Sequence, residues 1–161
     1  ADMETLMEWL PNHIPEGEET VALVHGDYRL DNMIFHPTEP QIIGILDWEL
    51  STLGDPLADL AYQLMAWQFP REGGIAGLAG LDRTELGLPS DEDYIAAYCN
   101  RTGRSGIDNW PFYMAFCFFR IAAILQGIKK RAQIGTASSA EADSRAIMVG
   151  PLAALGAACI P

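Results

Sequence analysis

The stretch HGDYRLDN, from His25 to Asn32, decides the fold, and it follows directly on the apolar run VALV, Val21 to Val24. A short apolar run bounded by polar residues is typical of a buried strand. The polar stretch that follows carries a carboxylate at Asp27 and an amide at Asn32. We therefore predict a strand that opens into a loop in which the chemistry is concentrated.

A β-hairpin is predicted immediately after this loop, with strands at Met33 to Phe35 and Ile42 to Leu46. The connection between them contains two prolines, as tight turns often do. If the four residues Pro37 to Pro40 form the turn, counting outward places Asn32 opposite Ile45.

This hairpin is expected to bring Asn32 towards Asp47, which ends the second strand. At ~3.3 Å per residue along a strand, the two side chains come within reach of one ion. An amide oxygen and a carboxylate are hard ligands that suit Mg²⁺, which takes its other ligands from water and from a substrate's phosphates. The spacing therefore predicts a magnesium site and a ligand that carries phosphate.

Asp27 lies five residues before Asn32, where it can stand beside the metal without binding it. Phosphoryl transfer needs one carboxylate that orients and deprotonates the attacking hydroxyl, while metal ions neutralise the phosphates. His25, Asp27 and Asn32 reproduce the order H-x-D-x-x-x-x-N of that arrangement. We assign Asp27 the role of proton acceptor.

A helix is predicted to begin at Gly54-Asp55-Pro56, with Asp55 as the N-cap and an apolar face behind it. That face comprises Leu57, Leu60, Ala61, Leu64 and Met65. Asp59 lies four residues after Asp55, where two like charges destabilise a helix. Asp55 can cap its own helix, whereas Asp59 needs donors from elsewhere.

The rest of the chain is predicted to be helical. The expected fold class is therefore α+β and mainly helical, in a single domain covering residues 1–161. A glycine-rich excursion without periodic signal interrupts the helices from Phe69 to Pro89. A break is expected in the last helix at Gly150-Pro151. The expected helices are Asp2 to Leu10, Asp91 to Asn100 after a Ser90 cap, Asn109 to about Ile134, and about Ser139 to Cys159.

The charge balance and apolar patterning exclude two classes of partner. With 10 basic against 22 acidic residues, the chain would repel nucleic acid. The apolar stretch Trp110 to Leu125 is shorter than a bilayer span and contains Arg120, which favours a buried helix and no membrane partner. Three widely spaced cysteines and no basic leader indicate a cytoplasmic protein.

Three motifs in order carry a family resemblance: HGDYRLDN from His25, ILDWE from Ile45, and GDPLADLA from Gly54. Together they resemble the aminoglycoside phosphotransferase family of protein-kinase-like enzymes, and in detail the branch associated with acyl-CoA dehydrogenases. The resemblance implies the C-terminal lobe of a kinase-like fold, with a small β-hairpin catalytic region and with ATP and Mg²⁺ as cofactors.

Carried over by position, the resemblance implies that Asp27 is the catalytic base and that Asn32 and Asp47 are metal ligands. It implies a loop-supporting role for His25. It also implies that a carboxylate of the following helix accepts hydrogen bonds from the catalytic loop, and of the two candidates, Asp55 and Asp59, we favour Asp59.

Four further residues are candidates for contact with substrate or phosphate. Trp48 and Glu49 replace the Phe and Gly of the kinase D-F-G motif, so an activation switch of the D-F-G type is not expected. Arg29 and Asp31 either touch substrate or phosphate, or pair with one another on the surface.

A complete kinase also needs a glycine-rich loop and a lysine that hold the phosphates, both before the catalytic loop. The only lysines are Lys129 and Lys130. We therefore expect that the ATP-gripping N-terminal lobe of the same parent chain is absent here, that this lobe is a partner, and that the isolated segment is inactive.

Three functions remain open from the sequence. The first is an ATP- and Mg²⁺-dependent transfer to a hydroxyl of a small molecule, either a hydroxyacyl thioester or an aminoglycoside-like acceptor. The second is a metal-dependent phosphoester hydrolase in which His25, Asp27 and Asp47 all bind metal. The third is a nucleotide-binding module without catalysis.

Overall fold

The computed structural model describes residues 1–16, 21–71, 77–134 and 147–161. They group into two compact units, which we call the strand unit, Glu16–Gln63, and the helical unit, Ala1–Pro15 with Leu64–Pro161. Helices and small antiparallel sheets together make an α+β fold, as predicted.

The strand unit contains two antiparallel pairs of short strands. Strand β1, Ala22–Val24, pairs with β4, Thr52–Gly54, while β2, Met33–Phe35, pairs with β3, Ile42–Ile45. The sequence did not reveal β4, because Thr52-Leu53-Gly54 contains a single large apolar residue and ends in glycine, so it forms no apolar run of strand type. Its pairing returns the chain to β1 directly before the helix that follows.

The hairpin turn closes as counted from the sequence, since the His36 N–H donates to the Gln41 carbonyl at 2.7 Å. The register then shifts: Phe35 lies opposite Ile42, but Ile34 lies opposite Gly44. Ile43 is therefore an extra residue on β3, and it forms a β-bulge.

Because of this bulge, the prediction that Asn32 lies opposite Ile45 is wrong by one residue. Ile45 pairs with Met33, and the Leu46 N–H donates to the Asn32 carbonyl at 2.8 Å. The pairing therefore brings Asn32 opposite the residue directly before Asp47, one position closer along the chain than an unbulged hairpin would.

Helix α2, Leu57–Trp67, begins as the sequence predicts. The Asp55 carboxylate accepts a hydrogen bond from the Leu57 N–H at 2.9 Å and so caps the first turn. The predicted apolar face is buried, and it comprises Leu57, Leu60, Ala61, Leu64 and Met65. Capping and burial both fix the start of this helix.

The helical unit contains α1, Asp2–Trp9, α3, Asp91–Thr102, α4, Trp110–Gln133, and α5, Val149–Ala158. The predicted Ser90 cap is confirmed, because its hydroxyl accepts from the Asp93 N–H at 3.0 Å. Helix α5 begins at Val149 and contains Gly150 and Pro151 in its first turn, and residues 147–148 before it form a turn. The break predicted at Gly150-Pro151 stays a prediction. The predicted helical residues 139–146 lie outside the described residues.

The core of the helical unit forms where α1, α4 and α5 meet. Leu6, Leu10, Ala115 and Ala153 are buried together at its centre. Gly156 on α5 permits this close approach, because a Cβ there would lie 3.0 Å from both Leu6 Cδ1 and Phe118 Cβ.

By length and composition alone, the part of α4 from Trp110 to Ala132 could cross a membrane. Its residues Tyr113, Ala115 and Phe118 are nonetheless buried within the fold, as expected for a core helix. The absence of a membrane partner stays a prediction.

Where the structure describes the predicted excursion after Phe69, it consists of turns and irregular segments, with one isolated β-bridge between Pro70 and Ala79. Residues 72–76 of this segment lie outside the described residues. Arg83 holds the segment in place through an ion pair with Asp91 and a position 5.3 Å over the Trp67 ring. Asp91 also accepts from the Gln68 amide at 2.6 Å.

Replacing Gly156 with valine should overpack the helix junction and lower the free energy of unfolding by about 1–3 kcal/mol. Gly150→Ala is the matched control in the same helix, because a Cβ at Gly150 meets nothing within 4 Å. Urea unfolding followed by circular dichroism measures both variants. Equal stability of the two variants would show that the close approach at Gly156 is unimportant.

Candidate active site

The candidate site is built on the loop that leaves β1 through two buried residues, His25 and Gly26. Gly26 adopts a φ of 85°, in the left-handed region that favours glycine. A Cβ at this position would lie 2.6 Å from the Leu50 carbonyl oxygen. Both the backbone conformation and the lack of space therefore require glycine here.

Asp59, in the first turn of α2, fixes this part of the loop. Its Oδ2 accepts from the His25 N–H at 2.6 Å, and its Oδ1 accepts from the Gly26 N–H at 2.9 Å. Hydrogen bonds to a carboxylate are among the stronger ones, and the helix N-terminus further favours the negative charge. The backbone N–H groups of His25 and Gly26 are thus the donors that Asp59 was expected to need, because its like charge lies four residues from Asp55 in the same helix.

The His25 imidazole connects the loop to the end of the hairpin. Its Nε2 lies 2.8 Å from the Leu46 carbonyl oxygen, while its Nδ1 accepts from the Asp27 N–H at 3.2 Å. A neutral ring with its proton on Nε2 satisfies both contacts. Because both ring nitrogens are used, His25 supports the backbone beside Asp27 and Asp47 and has no nitrogen left for a metal.

Asp27 and Asn32 lie in direct contact. The Asn32 amide NH₂ donates to the Asp27 backbone carbonyl at 2.9 Å and to its carboxylate Oδ2 at 3.0 Å. These two bonds use the donor end of the amide. The Asn32 Oδ1 is therefore the atom that can bind a cation, as the predicted metal role requires.

Asp47 is exposed and lies two residues after the end of β3 at Ile45, so it does not end the strand as predicted. Its backbone lies in the left-handed region, with φ 64° and ψ 52°, which is uncommon for a residue other than glycine. Such conformations concentrate at functional sites, where the surrounding structure holds them. The backbone bond from Leu46 to Asn32 brings the chain at Asp47 to the end of the hairpin that carries Asn32.

Trp48 has contacts within the loop itself. Its indole N–H donates to the Ile45 carbonyl at 2.8 Å, and its ring lies 4.7 Å from the His25 ring. The ring is thus part of the packing that holds His25 in place. Glu49, the other residue that departs from D-F-G, is exposed.

Arg29 and Asp31 form an ion pair with each other, which is one of the two possibilities left open by the sequence. Partial burial acts to lower the pKa of Arg29, but the hydrogen bond and charge of Asp31 raise that pKa above its ordinary value. The charge of Asp27 acts in the same direction. Arg29 is therefore a permanent positive charge close enough to Asp27 to interact with it.

Two features of this arrangement were missed from the sequence. Gly44 inside the predicted strand was a usable signal for the bulge, since an interior glycine often marks one. The contact between His25 and the Leu46 carbonyl had no such signal, because it joins a side chain to a backbone atom across the fold.

Residues 1–113 match the family described as phosphotransferase enzyme family. The chain belongs to this family. The match covers well over half of the chain, including the catalytic loop, the hairpin and α2.

A solved relative has the same fold. A crystal structure of a proposed aminoglycoside phosphotransferase from Ralstonia eutropha superposes with a TM-score of 0.92 and 50% sequence identity. The match covers 98% of this chain and 48% of that chain. This chain therefore corresponds to about half of the solved chain.

Curated relatives are longer still. Acyl-CoA dehydrogenase family member 10 of mouse is 51% identical over 154 residues, which are 95% of this chain and 14% of the relative. Acyl-CoA dehydrogenase family member 11 of human is 40% identical over 155 residues, or 96% of this chain and 20% of the relative. The resemblance to the branch associated with acyl-CoA dehydrogenases is thus confirmed for this chain.

Asp59→Asn should remove one of the two backbone acceptors and place an NH₂ against a backbone donor. We expect a loss of about 1–3 kcal/mol in the free energy of unfolding. Asp55→Asn is the matched control, because asparagine caps helices about as well as aspartate. Chemical denaturation of both variants provides the comparison, and a loss at Asp55 as large as that at Asp59 would contradict the assignment.

Proposed function

We propose that this chain is the catalytic, C-terminal lobe of an ATP- and Mg²⁺-dependent phosphotransferase that acts on a hydroxyl group of a small molecule. The observation that supports this most directly is the contact between the Asn32 amide and Asp27. It keeps a carboxylate and a potential metal-binding oxygen side by side in a loop that Asp59 and His25 hold rigid.

In the proposed mechanism Asp27 accepts the proton of the attacking hydroxyl. The Asn32 NH₂ binds one carboxylate oxygen of Asp27 and so orients the group before substrate arrives. The backbone N–H groups at positions 25 and 26 are hydrogen-bonded to Asp59, which fixes the chain directly before Asp27. The Asp27 carboxylate therefore needs little reorganisation during the reaction.

The donor set fits Mg²⁺, with the Asn32 amide oxygen and the Asp47 carboxylate as its protein ligands. The ion, when bound together with ATP, supplies charge neutralisation for the phosphates. Arg29 adds a fixed positive charge near Asp27, which suits contact with a phosphate. Asp31 holds Arg29 through their ion pair and is therefore a positioning residue in this proposal.

A hydroxyl on an acyl thioester is the acceptor we favour. The relatives that match nearly the whole chain are named as acyl-CoA dehydrogenase family members, so an acyl thioester would serve both activities of such a protein. The formal net charge of −12 also suits a cationic acceptor such as an aminoglycoside. A net charge, however, does not show that the acidic residues lie at the site. We further propose a cytoplasmic location.

We also propose that an ATP-gripping lobe precedes this lobe in the same polypeptide and that these 161 residues alone do not turn over ATP. Support comes from the solved relative, of which this chain covers 48%. Kinases hold the phosphates of ATP with a glycine-rich loop and a lysine in addition to Mg²⁺. The proposed Mg²⁺ site by itself does not replace these two elements.

The hydrolase alternative requires His25 as a metal ligand. Both ring nitrogens of His25 lie within hydrogen-bond distance of backbone groups. In addition, the described residues contain no group of three histidine, cysteine or acidic side chains placed to hold a metal ion. These observations favour the transferase.

Asp27→Asn in the full-length protein should lower kcat by about 10²–10⁴-fold, because asparagine cannot accept the hydroxyl proton. The KM for ATP should change little. Glu39→Gln in the exposed hairpin turn removes one negative charge from the same unit and should leave both constants unchanged. The measurement is phosphate transfer from ATP to a panel of hydroxyacyl-CoA thioesters and aminoglycosides.

An Asp27→Asn protein with wild-type kcat would show that Asp27 is not the proton acceptor. Nucleotide binding by the full-length wild-type protein without transfer to any acceptor of the panel would instead support a module that binds nucleotide without catalysis. Transfer to aminoglycosides alone would replace the thioester as acceptor and leave the mechanism intact.

Asp47→Asn should raise the Mg²⁺ concentration needed for the half-maximal rate by at least about tenfold, since even changes outside the first ligand shell cost about 10–100-fold. Activity should disappear in EDTA and return with added Mg²⁺. Steady-state rates across a Mg²⁺ titration measure this, again with Glu39→Gln as control. A superimposable titration for Asp47→Asn would remove Asp47 from the metal site.

A further inference from the structure

The turn of the β2–β3 hairpin is held by a histidine side chain as well as by its backbone. The turn has the sequence HPTEPQ, and the N–H of His36 donates to the Gln41 carbonyl at 2.7 Å. The Nδ1 atom of the His36 ring accepts from the Thr38 N–H at 3.3 Å and from the Glu39 N–H at 3.1 Å. The Thr38 Oγ1 lies 3.4 Å from the same nitrogen. One ring nitrogen thus satisfies two backbone donors of the turn.

These contacts fix the protonation state of the His36 ring. A ring nitrogen that accepts hydrogen bonds carries no proton, so the ring is neutral and has its proton on Nε2. A proton on Nδ1 would face the backbone N–H groups of Thr38 and Glu39. The Thr38 hydroxyl can rotate and accept from it, but the two backbone groups can only donate. The neutral ring therefore closes the turn, and the charged ring does not.

The hairpin depends on this turn because its strands are short. Strand β2 has three residues and β3 has four, and in the described part of the chain no third strand joins them. Two-stranded hairpins are marginal in water, and the turn sets their register. The same hairpin aligns Asn32 with Leu46 at its other end. An open turn therefore weakens the pairing that leads to the candidate site.

We propose that His36 makes the hairpin turn a pH-sensitive switch, closed while its ring is neutral and open once the ring is protonated. Histidine is the side chain that ordinarily changes charge between about pH 5 and 8. The hydrogen bonds to Nδ1 exist only in the neutral form. The closed turn is thus present above this range and is lost as the pH falls through it.

The charges around His36 are few. Glu39 is the only other ionisable residue of the turn, and it is exposed. Its negative charge favours the protonated ring, but exposed charges are screened by solvent and salt. No hydrogen bond or ion pair from another described element reaches the His36 ring, whose partners are Thr38 and Glu39. The switch is therefore contained in the turn itself.

Hydrogen–deuterium exchange of the full-length protein tests this proposal, with mass spectrometry of the peptide that covers residues 33–46. Labelling at about pH 7.5 and at about pH 5.5 brackets the ordinary titration of histidine, and the intrinsic pH dependence of exchange is divided out. Because two hydrogen bonds are lost, protection of the turn amides should fall by about fivefold or more at the lower pH. The measurement involves neither ATP nor an acceptor, so it is independent of the proposed phosphotransfer.

Three variants identify the group that is responsible. His36→Asn should keep the turn protected at both pH values, because the asparagine oxygen accepts from the backbone two residues on and does not titrate. His36→Ala has no side-chain acceptor and should show low protection at both. His13→Asn is the matched control at an exposed histidine outside the strand unit, and it should keep the wild-type pH dependence.

Any of three results would overturn the proposal. Equal protection of the wild type at both pH values would show that the His36 ring does not control the turn. A pH dependence that persists in His36→Asn would assign the effect to another titrating group, such as His25 beside Leu46. Wild-type protection in His36→Ala at the higher pH would show that the turn does not need the ring as acceptor.

Discussion

The bonds from one carboxylate to two successive backbone N–H groups hold the candidate site together. Asp59 accepts from His25 and Gly26, and in doing so it fixes the loop at the point where glycine takes a left-handed conformation. Without these acceptors, two buried N–H groups would be unsatisfied. The position of Asp27, one residue further along the chain, depends on this anchor.

From this anchor a short series of polar contacts leads across the site. Gly26 precedes Asp27, whose backbone N–H binds the His25 ring, and the other nitrogen of that ring reaches the Leu46 carbonyl beside Asp47. Asn32 closes the series by donating to Asp27. The backbone beside Asp27 and Asp47 is thus held by the His25 ring, and the Asp27 carboxylate itself accepts one bond from the Asn32 amide.

Much of this arrangement could be predicted from the sequence because the informative residues act locally. Asp55 and Ser90 cap helices at the positions that their side chains indicate, and the apolar spacing from Leu57 to Met65 correctly marked a buried helical face. The hairpin before Asp47 was also visible, although its second strand ends at Ile45 and not at Asp47. These features need only the neighbouring residues to be recognised.

What the sequence did not reveal depends on contacts between distant segments. Thr52–Gly54 forms a strand because it pairs with β1, and its own residues, with one large apolar side chain, give no strand pattern. The bulge at Ile43 shifted the counted register, and the left-handed backbone of Asp47 follows from the surrounding fold and not from its side chain. The roles of Asp27, Asn32 and Asp47 still rest on the family pattern.

The bulge at Ile43 also sets which residues face each other at the end of the hairpin away from the turn. Because the extra residue lies between the turn and this end, Asn32 is aligned with Leu46, the residue before Asp47. Loss of the inserted residue would move every β3 side chain beyond it to the opposite face. The length of the second strand is therefore constrained more tightly than its place beside a surface turn would indicate.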